Sequence, residues 1–586
     1  MSKVKQERKS QSFLKGAAVL GASMIVVKLM GMVYKILLSN MYGGVGTGLF
    51  NAAYALYNPL FMLSTAGFPI AISRMVSESV AKKRFRDVKQ IHRISVPIFV
   101  AAGCACFLAM IFGSFIYVKI IKADNAIFAL LCLSPTIFFG CLMSIYRGYF
   151  EGMRNMTPTA VSEIIEAVFK LFFGFTASAV TMKLLNQQYL NTGYVLGTKC
   201  TSAAEAENVI IPVAIGAAIT GISLGAVFGF LYLFVKYKRS GDGITKEELR
   251  LSPPPRKRNE TLKIMVKTAI PVGLGSIVMS LADMVDATLV QRRIDNIMQT
   301  NPKALLDIYG SLVPDSVYQA GTTHIYLYGC YGMALTLMML VSAVTQVFGT
   351  TALPSVTAAW TSGDKVQMKK SMETVLRVTM LVTIPTGIGM SVMAEPLLSL
   401  VYSGGSVANE VEIGSKVLTI MGISAVFIAT STPLCSMIQA TGHMDIPLKL
   451  YTIGMVMKII VNYILVGIPE INIQGANVGS IVCYGFVTVM AMFFLCRTTK
   501  IVPNFVSIFV KPLIAAILCG LAAYYSEQLF DVFMKQRLAT VLAVLTAVIV
   551  YVLALFLLRA IKREDILQMP KGNKIVKILE KRKLIR

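Results

Sequence analysis

Two lysines interrupt a long apolar stretch near the start of the 586-residue sequence. Lys28 and Lys35 are seven residues apart, which is two turns of an α-helix, so they fall on nearly the same helix face. Because a lysine ammonium neutralises a phosphate as a point charge, the pair predicts contact with an anionic ligand. An alternative stays open, in which Lys35 extends to the nearest water and Lys28 pairs with a carboxylate.

A second group of charges is spaced three and four residues apart and also shares one helix face: Glu163, Glu166 and Lys170. Lys170 is a further candidate contact for an anion. One interpretation pairs Glu166 with Lys170 only to stabilise the helix. The other makes the two carboxylates a proton-sensitive or gating site, because a close carboxylate pair can hold one proton at neutral pH.

The elements that position these charges are membrane-spanning helices. The chain is 55% hydrophobic and 15% charged, and its mean hydropathy is +0.67, whereas soluble domains carry about 25% charged residues. A charge at mid-bilayer costs at least about 2.5–3.5 kcal/mol, so it should face a cavity or a partner. We predict about fourteen spans, each near the roughly 20 residues that cross a bilayer. They are 14–38, 48–72, 95–118, 127–145, 158–182, 210–235, 262–290, 325–353, 375–402, 413–438, 448–468, 476–496, 505–523 and 538–558.

Basic residues outnumber acidic ones by 56 to 30, a formal net charge of +26. They lie between the apolar spans, so the excess indicates membrane topology and no nucleic-acid partner is expected. About forty Lys and Arg fall on the side of the termini and about ten on the other side, which predicts cytoplasmic termini. The predicted divisions are a basic cytoplasmic tail 1–13, an N-lobe 14–236, a cytoplasmic linker 237–261, a C-lobe 262–497, two further spans 498–562 and a second basic tail 563–586.

Two segments that are 288 residues apart carry matching residues. Met156 corresponds to Met444, and Lys170 corresponds to Lys458. Each segment precedes and enters a span in the middle of its half, which favours an internal duplication. Repeated six-span bundles are a frequent plan of alternating-access transporters.

The segment RGYFEGMRNMTPTA at 147–160 resembles a loop of the polysaccharide-exporter and stage V sporulation protein B branch of the multidrug/oligosaccharidyl-lipid/polysaccharide flippase superfamily. The segment VDATLVQR at 285–292 is most similar to lipid II flippases of Gram-positive bacteria. The resemblance implies an all-α integral membrane protein with two pseudo-symmetric six-helix lobes around a V-shaped central cavity. Two C-terminal helices are appended, and in lipid II flippases this pair forms a groove for the polyprenyl tail. The residues that match the loop motif are Arg147, Gly148, Glu151, Gly152, Asn155, Thr157 and Pro158.

The resemblance implies an alternating-access flippase that moves a polyprenyl-pyrophosphate-linked glycan, above all lipid II, from the inner to the outer leaflet. Lys28, Lys35 and Lys170 would then bind the pyrophosphate. Alternatives are an exporter of another lipid-linked glycan of the polysaccharide or teichoic type, a cation-coupled multidrug exporter and a membrane glycan polymerase or ligase. Intramembrane lysines favour an anionic cargo over a cationic drug. No catalytic residue is expected.

Lipid II flippases can also hold a sodium ion with an Asp of span seven and an Asn of span eleven. The residues that match are Asp286 and Asn462, and hard cations favour such oxygen ligands. The sequence departs from some relatives at Val466, where they carry a second Asp ligand in span eleven.

An outer-gate role is the alternative for Asp286, and for Asp283 one helical turn before it. That role would use a salt bridge or a cap involving Arg292 or Arg293. No cofactor is expected other than coupling to sodium or protons. Expected partners are the lipid-linked oligosaccharide, the bilayer and cell-wall synthesis proteins. The protein is expected to be a monomer in the bacterial cytoplasmic membrane that serves peptidoglycan synthesis, cell shape or sporulation.

Overall fold

The computed structural model describes residues 13–65, 67–240, 243–402 and 407–560. The predicted tail 563–586, and all of the predicted tail 1–13 except its last residue, lie outside the described residues. The helices of the first half are α1 Phe13–Thr65, α2 Gly67–Ala81, α3 Phe85–Ile121, α4 Ile127–Gly152, α5 Thr157–Phe169, α6 Phe175–Thr192, α7 Ala203–Ser240, α8 Lys246–Leu251 and α9 Arg258–Thr300. Two short antiparallel strands, β1 Tyr194–Val195 and β2 Thr198–Lys199, join α6 to α7.

The second half is also helical. Its helices are α10 Pro302–Tyr309, α11 Asp315–Gln319, α12 Thr323–Thr361, α13 Lys365–Val392, α14 Ala394–Val401, α15 Ala408–Ala440, α16 Asp445–Leu465, α17 Gly475–Thr499, α18 Lys511–Phe533 and α19 Gln536–Leu557. A π-helical turn, Lys170–Gly174, connects α5 to α6, and another, Val506–Val510, precedes α18.

Twelve helical stretches among the described residues are long and apolar enough to cross a membrane. The first, Val19–Ala81, covers the first two predicted spans. They are separated inside α1 by a kink at Gly43, whose φ of 59° and ψ of −154° favour a residue without a Cβ. The seventh predicted span is covered by α9. The predicted all-α membrane protein of about fourteen spans is therefore confirmed.

Two compact units divide the chain, and the boundary falls within α9. Unit 1 comprises Met1–Arg292 and Pro314–Gly329, and unit 2 comprises Arg293–Val313 and Cys330–Arg586. In unit 1, α4 packs against α3 and α7, and α7 packs against α5 and α6. In unit 2, α15 packs against α13 and α17, and α17 packs against α16. The same order of neighbours in both units agrees with an internal duplication.

The duplication extends to the turn that precedes the middle helix of each unit. Arg154 has a φ of 57° and Gly442, 288 residues later, has a φ of 93°. The N–H of Arg154 donates to the carbonyl of Glu151 at 2.9 Å, and the N–H of Gly442 donates to the carbonyl of Gln439 at 3.0 Å. Because both the backbone conformation and the hydrogen bond repeat, the two turns are equivalent.

The linker between the halves is fastened to the start of α3. Arg84 Nε lies 2.5 Å from Asp87 Oδ2, and the backbone N–H of Arg256 donates to Asp87 Oδ1 at 2.9 Å. Gln90 Nε2 donates to the carbonyl of Arg256 at 2.7 Å. The hydrogen bond to Asp87 raises the pKa of the Arg84 guanidinium above its ordinary value. Asp87 is only 3% exposed, so one buried carboxylate holds both the linker and the turn before α3.

Candidate functional site

Two of the three predicted basic residues lie together in unit 1. Lys35 belongs to α1, Lys170 begins the π turn after α5, and their charges are close enough to interact. Lys35 Nζ donates to Asn51 Oδ1 at 3.0 Å, and Lys170 Nζ lies 3.5 Å from Tyr54 Oη. Both lysines are half-buried, so the helices bring two positive charges to one partly accessible place.

Aromatic rings of α1 surround these ammonium groups. Lys170 Nζ lies 5.2 Å from the ring centre of Tyr34 and 5.7 Å from that of Tyr54. Lys35 Nζ lies 5.7 Å from the ring centre of Phe50, which stacks on Tyr54 at 4.7 Å. Tyr34 is itself fixed, because its hydroxyl donates to the carbonyl of Ala218 on α7 at 2.7 Å. The negative faces of the rings attract the ammonium groups without neutralising their charge.

Neither Lys35 nor Lys170 forms an ion pair with a carboxylate within the described ranges. Their hydrogen-bond partners are an amide and a phenol, which are neutral. Two neighbouring cations with neutral partners form a suitable site for an anion with two charges, such as a diphosphate.

The third predicted basic residue, Lys28, is an exposed side chain of α1. Its role as a substrate contact stays a prediction.

The carboxylates of α5 also lie in unit 1. Ser23 Oγ, on α1, donates to Glu163 Oε2 at 3.0 Å.

Glu166 binds an arginine of the preceding helix. Arg147 Nη2 lies 3.2 Å from Glu166 Oε2, and Arg147 Nε donates to Ser162 Oγ at 3.0 Å. The expected alternative of a Glu166–Lys170 pair is wrong, because Lys170 contacts the aromatic rings of α1. The carboxylates therefore join α5 to α1 and α4.

The motif expected to form a loop is mostly helical. Arg147, Gly148, Glu151 and Gly152 are in the last turns of α4, Asn155 lies in the four-residue connection, and Thr157 and Pro158 begin α5. A Cβ on Gly148 would approach the carbonyl oxygen of Pro69 on α2 to 2.6 Å. The glycines of the motif thus allow α4 to pack closely on α2, while Arg147 makes the ion pair.

The residues expected to couple transport to an ion lie in both units. On α9 of unit 1, Asp283 is exposed and Asp286 is buried, and on α16 of unit 2, Asn462 is fully buried. Arg293 donates to the carbonyl of Tyr463 at 3.0 Å and lies 4.3 Å from the centre of that ring. The outer-gate role of Asp286 with Arg292 or Arg293 stays a prediction.

An apolar cavity of about 410 Å³ lies in unit 2 between α12, α13, α14 and the two appended helices α18 and α19. Its walls include Leu337, Pro385, Met390, Leu397, Cys519 and Tyr551. The cavity lies beside the pair of helices for which the resemblance implies a groove.

Sequence reasoning missed the partners that define the site. Asn51, Tyr34 and Tyr54 were not among the predicted residues, although a polar Asn inside an apolar span is a signal that could have indicated Asn51. Arg147 was predicted only as part of a motif. Its ion pair could not be read from spacing, because Glu166 is on another helix.

Residues 13–360 match the family described as polysaccharide biosynthesis protein, and residues 329–464 match the MatE family. The lipid II flippase MurJ of Bacillus subtilis is 21% identical over 494 residues, covering 82% of this chain and 83% of the relative. Stage V sporulation protein B of the same organism is 21% identical and covers 96% of this chain and 98% of the relative.

Solved structures show the same fold. The inward closed conformation of lipid II flippase MurJ aligns with a TM-score of 0.60 and 15% identity, over 92% of this chain and 98% of that chain. An inward-facing multidrug resistance MATE transporter of the MOP superfamily aligns with a TM-score of 0.57 and 13% identity, over 83% and 99%. The chain therefore belongs to the polysaccharide biosynthesis protein family and shares the fold of these MurJ and MATE structures.

Proposed function

We propose that the protein is a flippase that moves a polyprenyl-pyrophosphate-linked glycan from the inner to the outer leaflet, with lipid II as the first candidate cargo. The observation that carries the proposal is the pair formed by Lys35 and Lys170, whose partners are neutral. The flippase named among the relatives supports the same cargo class.

The charge of the site matches a pyrophosphate. Lys35 and Lys170 each keep donor hydrogens that Asn51 and Tyr54 do not use, because an ammonium group has three. Partial burial strengthens each contact with a phosphate oxygen relative to bulk water. A cationic drug would be repelled at the same place, so the site favours a glycan carrier over a multidrug substrate.

The tail of such a cargo is apolar and needs a different surface. The 410 Å³ cavity between α12–α14 and the appended helices is lined by aliphatic, aromatic and sulfur-containing side chains. We assign this cavity to part of the polyprenyl chain, whose burial against hydrocarbon side chains requires no polar partner.

The carboxylates of α5 supply the coupling step of the proposal. Arg147 binds Glu166, and Ser23 binds Glu163, so that α4 and α1 are both held to α5. A proton on Glu166 removes the charge that Arg147 contacts and weakens the connection between α4 and α5. Release of this connection would permit one step of alternating access, driven by a proton.

A complementation experiment tests the proposal. Cells depleted of their own lipid II flippase receive Lys35→Met or Lys170→Met, and externalised lipid II is measured with a periplasm- or wall-side probe. We expect at least about a tenfold loss of export for each variant, because one lost charged contact is equivalent to about 1.5–3 kcal/mol. Lys170→Arg keeps the charge and should retain partial activity.

Lys183→Met is the matched control, because Lys183 is an exposed lysine on the outer part of the same span. Its export should equal that of the wild type. Quantitative blots must show equal membrane abundance for all variants. Full export by a normally abundant Lys170→Met protein would remove Lys170 from the proposed site.

A further inference from the structure

The acceptor that holds Lys35 is an amide of the same helix. Lys35 Nζ donates to Asn51 Oδ1 at 3.0 Å, on the part of α1 that follows the kink at Gly43. Three residues later, Tyr54 places its hydroxyl 3.5 Å from Lys170 Nζ, and residues three apart lie on one face of a helix. This face of α1 therefore presents one neutral oxygen atom to each lysine.

An amide is not the partner that would stabilise Lys35 most. The carboxylate of an aspartate has nearly the same shape, would attract the ammonium more strongly and has no donor of its own to satisfy. The amide does have such a donor, because Asn51 Nδ2 is buried and forms no hydrogen bond to a described residue. A buried donor without an acceptor costs free energy. Asn at position 51 is thus a less stabilising choice than Asp for holding Lys35.

The advantage of the amide is that it leaves the charge of Lys35 intact. Lys35 and Lys170 interact as like charges, and the hydrogen-bond partner of each is neutral. An aspartate at position 51 would cancel one of these two positive charges. A diphosphate carries more negative charge than a monophosphate, so the pair of lysines distinguishes the two ligands best when both charges are kept.

We propose that Asn51 is a specificity-determining residue of this site. Its amide oxygen fixes the Lys35 ammonium without cancelling the charge, so that Lys35 and Lys170 act together on the two phosphate groups of a diphosphate. The inference rests on the proposed function, because it concerns the headgroup of the cargo. It holds for any glycan that is attached to the diphosphate.

Binding of two short lipids to the purified full-length protein tests the inference. Farnesyl diphosphate and farnesyl monophosphate share one tail and differ by one phosphate group, so the ratio of their dissociation constants measures diphosphate recognition. For the wild type we expect the diphosphate to bind at least about tenfold more tightly. Asn51→Asp should lower the diphosphate affinity at least about tenfold and reduce this ratio, because the new carboxylate pairs with Lys35.

The unfolding temperature separates recognition from folding. Asn51→Asp should unfold at the temperature of the wild type or above it, since it adds an ion pair and removes the unpaired donor. Asn51→Leu should unfold at a lower temperature, because Lys35 loses its acceptor, but it should lose less diphosphate affinity than Asn51→Asp, because both charges remain. A purely structural role of Asn51 predicts instead that affinity falls together with stability in both variants, and that result would overturn the inference.

Asn191→Asp is the matched control, because Asn191 is exposed in the last turn of α6. It should bind both lipids as the wild type does. Wild-type affinity for the diphosphate in a folded Asn51→Asp protein would overturn the role of Asn51 and leave the proposed function standing. Equal affinity of the wild type for the two lipids would contradict the proposed diphosphate site itself, and the inference would fail with it.

Discussion

Arg147 fastens the end of α4 to α5 through two side chains. Its guanidinium lies 3.2 Å from Glu166 Oε2 and donates to Ser162 Oγ at 3.0 Å. The side chains of Arg147 and Glu166 are 22% and 30% exposed, so water screens the pair only in part. Truncation of one partner leaves the other charge partly buried without its counter-charge. The resulting loss of stability is larger than the net stabilisation that the pair itself provides.

We therefore predict that Arg147→Ala lowers the free energy of unfolding by about 1.5–3 kcal/mol. Glu166→Gln should cost less, because the amide can still accept a hydrogen bond from the guanidinium. The double variant should lose less free energy of unfolding than the two single variants lose together. Chemical unfolding in detergent measures all three. Strictly additive losses would show that the two side chains do not interact.

The equivalent turns of the two repeats use different residues in the same left-handed conformation. Gly442→Ala should lower the free energy of unfolding by about 1–2 kcal/mol, because a φ of 93° brings a Cβ too close to the backbone. Arg154→Gly should cost nothing or stabilise slightly, since a φ of 57° is tolerated better by glycine. Equal free energies of unfolding for Gly442→Ala and the wild type would contradict the strain expected of a side chain at a φ of 93°.

At the scale of elements, the linker is held by a carboxylate that belongs to α3. Asp87→Asn should release residues 243–257, because it removes the charge that Arg84 and Arg256 contact. We expect hydrogen exchange in this segment to rise about tenfold, equivalent to about 1.4 kcal/mol for a lost charged hydrogen bond. Mass spectrometry of the exchanged peptides measures the change.

Glu412→Gln is the matched control for the linker variant. It removes an exposed carboxylate that pairs with Lys416 at 3.3 Å in unit 2. Exchange in 243–257 should then equal that of the wild type. If Asp87→Asn left the linker as protected as before, the backbone contacts alone would hold it.

At the scale of the whole molecule, the distribution of Lys and Arg predicts the orientation in the membrane. The linker should be cytoplasmic, and the hairpin of β1 and β2 should be outside. An impermeant thiol reagent applied to intact cells should label Leu196→Cys but not Lys257→Cys, and both should react after lysis. Both side chains are exposed, and exposed Cys104 is replaced by Ser in the background. Labelling of Lys257→Cys in intact cells would reverse the orientation.

Features encoded by neighbouring residues could be predicted, and features that depend on packing could not. Hydropathy locates the spans because each span needs its own apolar length, and Lys35 and Lys170 are conspicuous because each is a charge within such a length. Their approach depends on how α1 meets the π turn, with Lys170 and its partner Tyr54 separated by 116 positions. The break between the first two spans was predicted, but its form, a kink at Gly43 within one long helix, was not, because hydropathy does not report backbone conformation.

The π turn Lys170–Gly174 has a consequence for the evolution of this span. A π turn accommodates one residue more than an α-helix in the same rise, and one residue corresponds to about 100° of rotation about the axis. Deleting a single residue at 170–174 would leave hydropathy almost unchanged but would rotate α6 by about that angle relative to α5. Selection should therefore tolerate substitutions in this segment more readily than insertions or deletions.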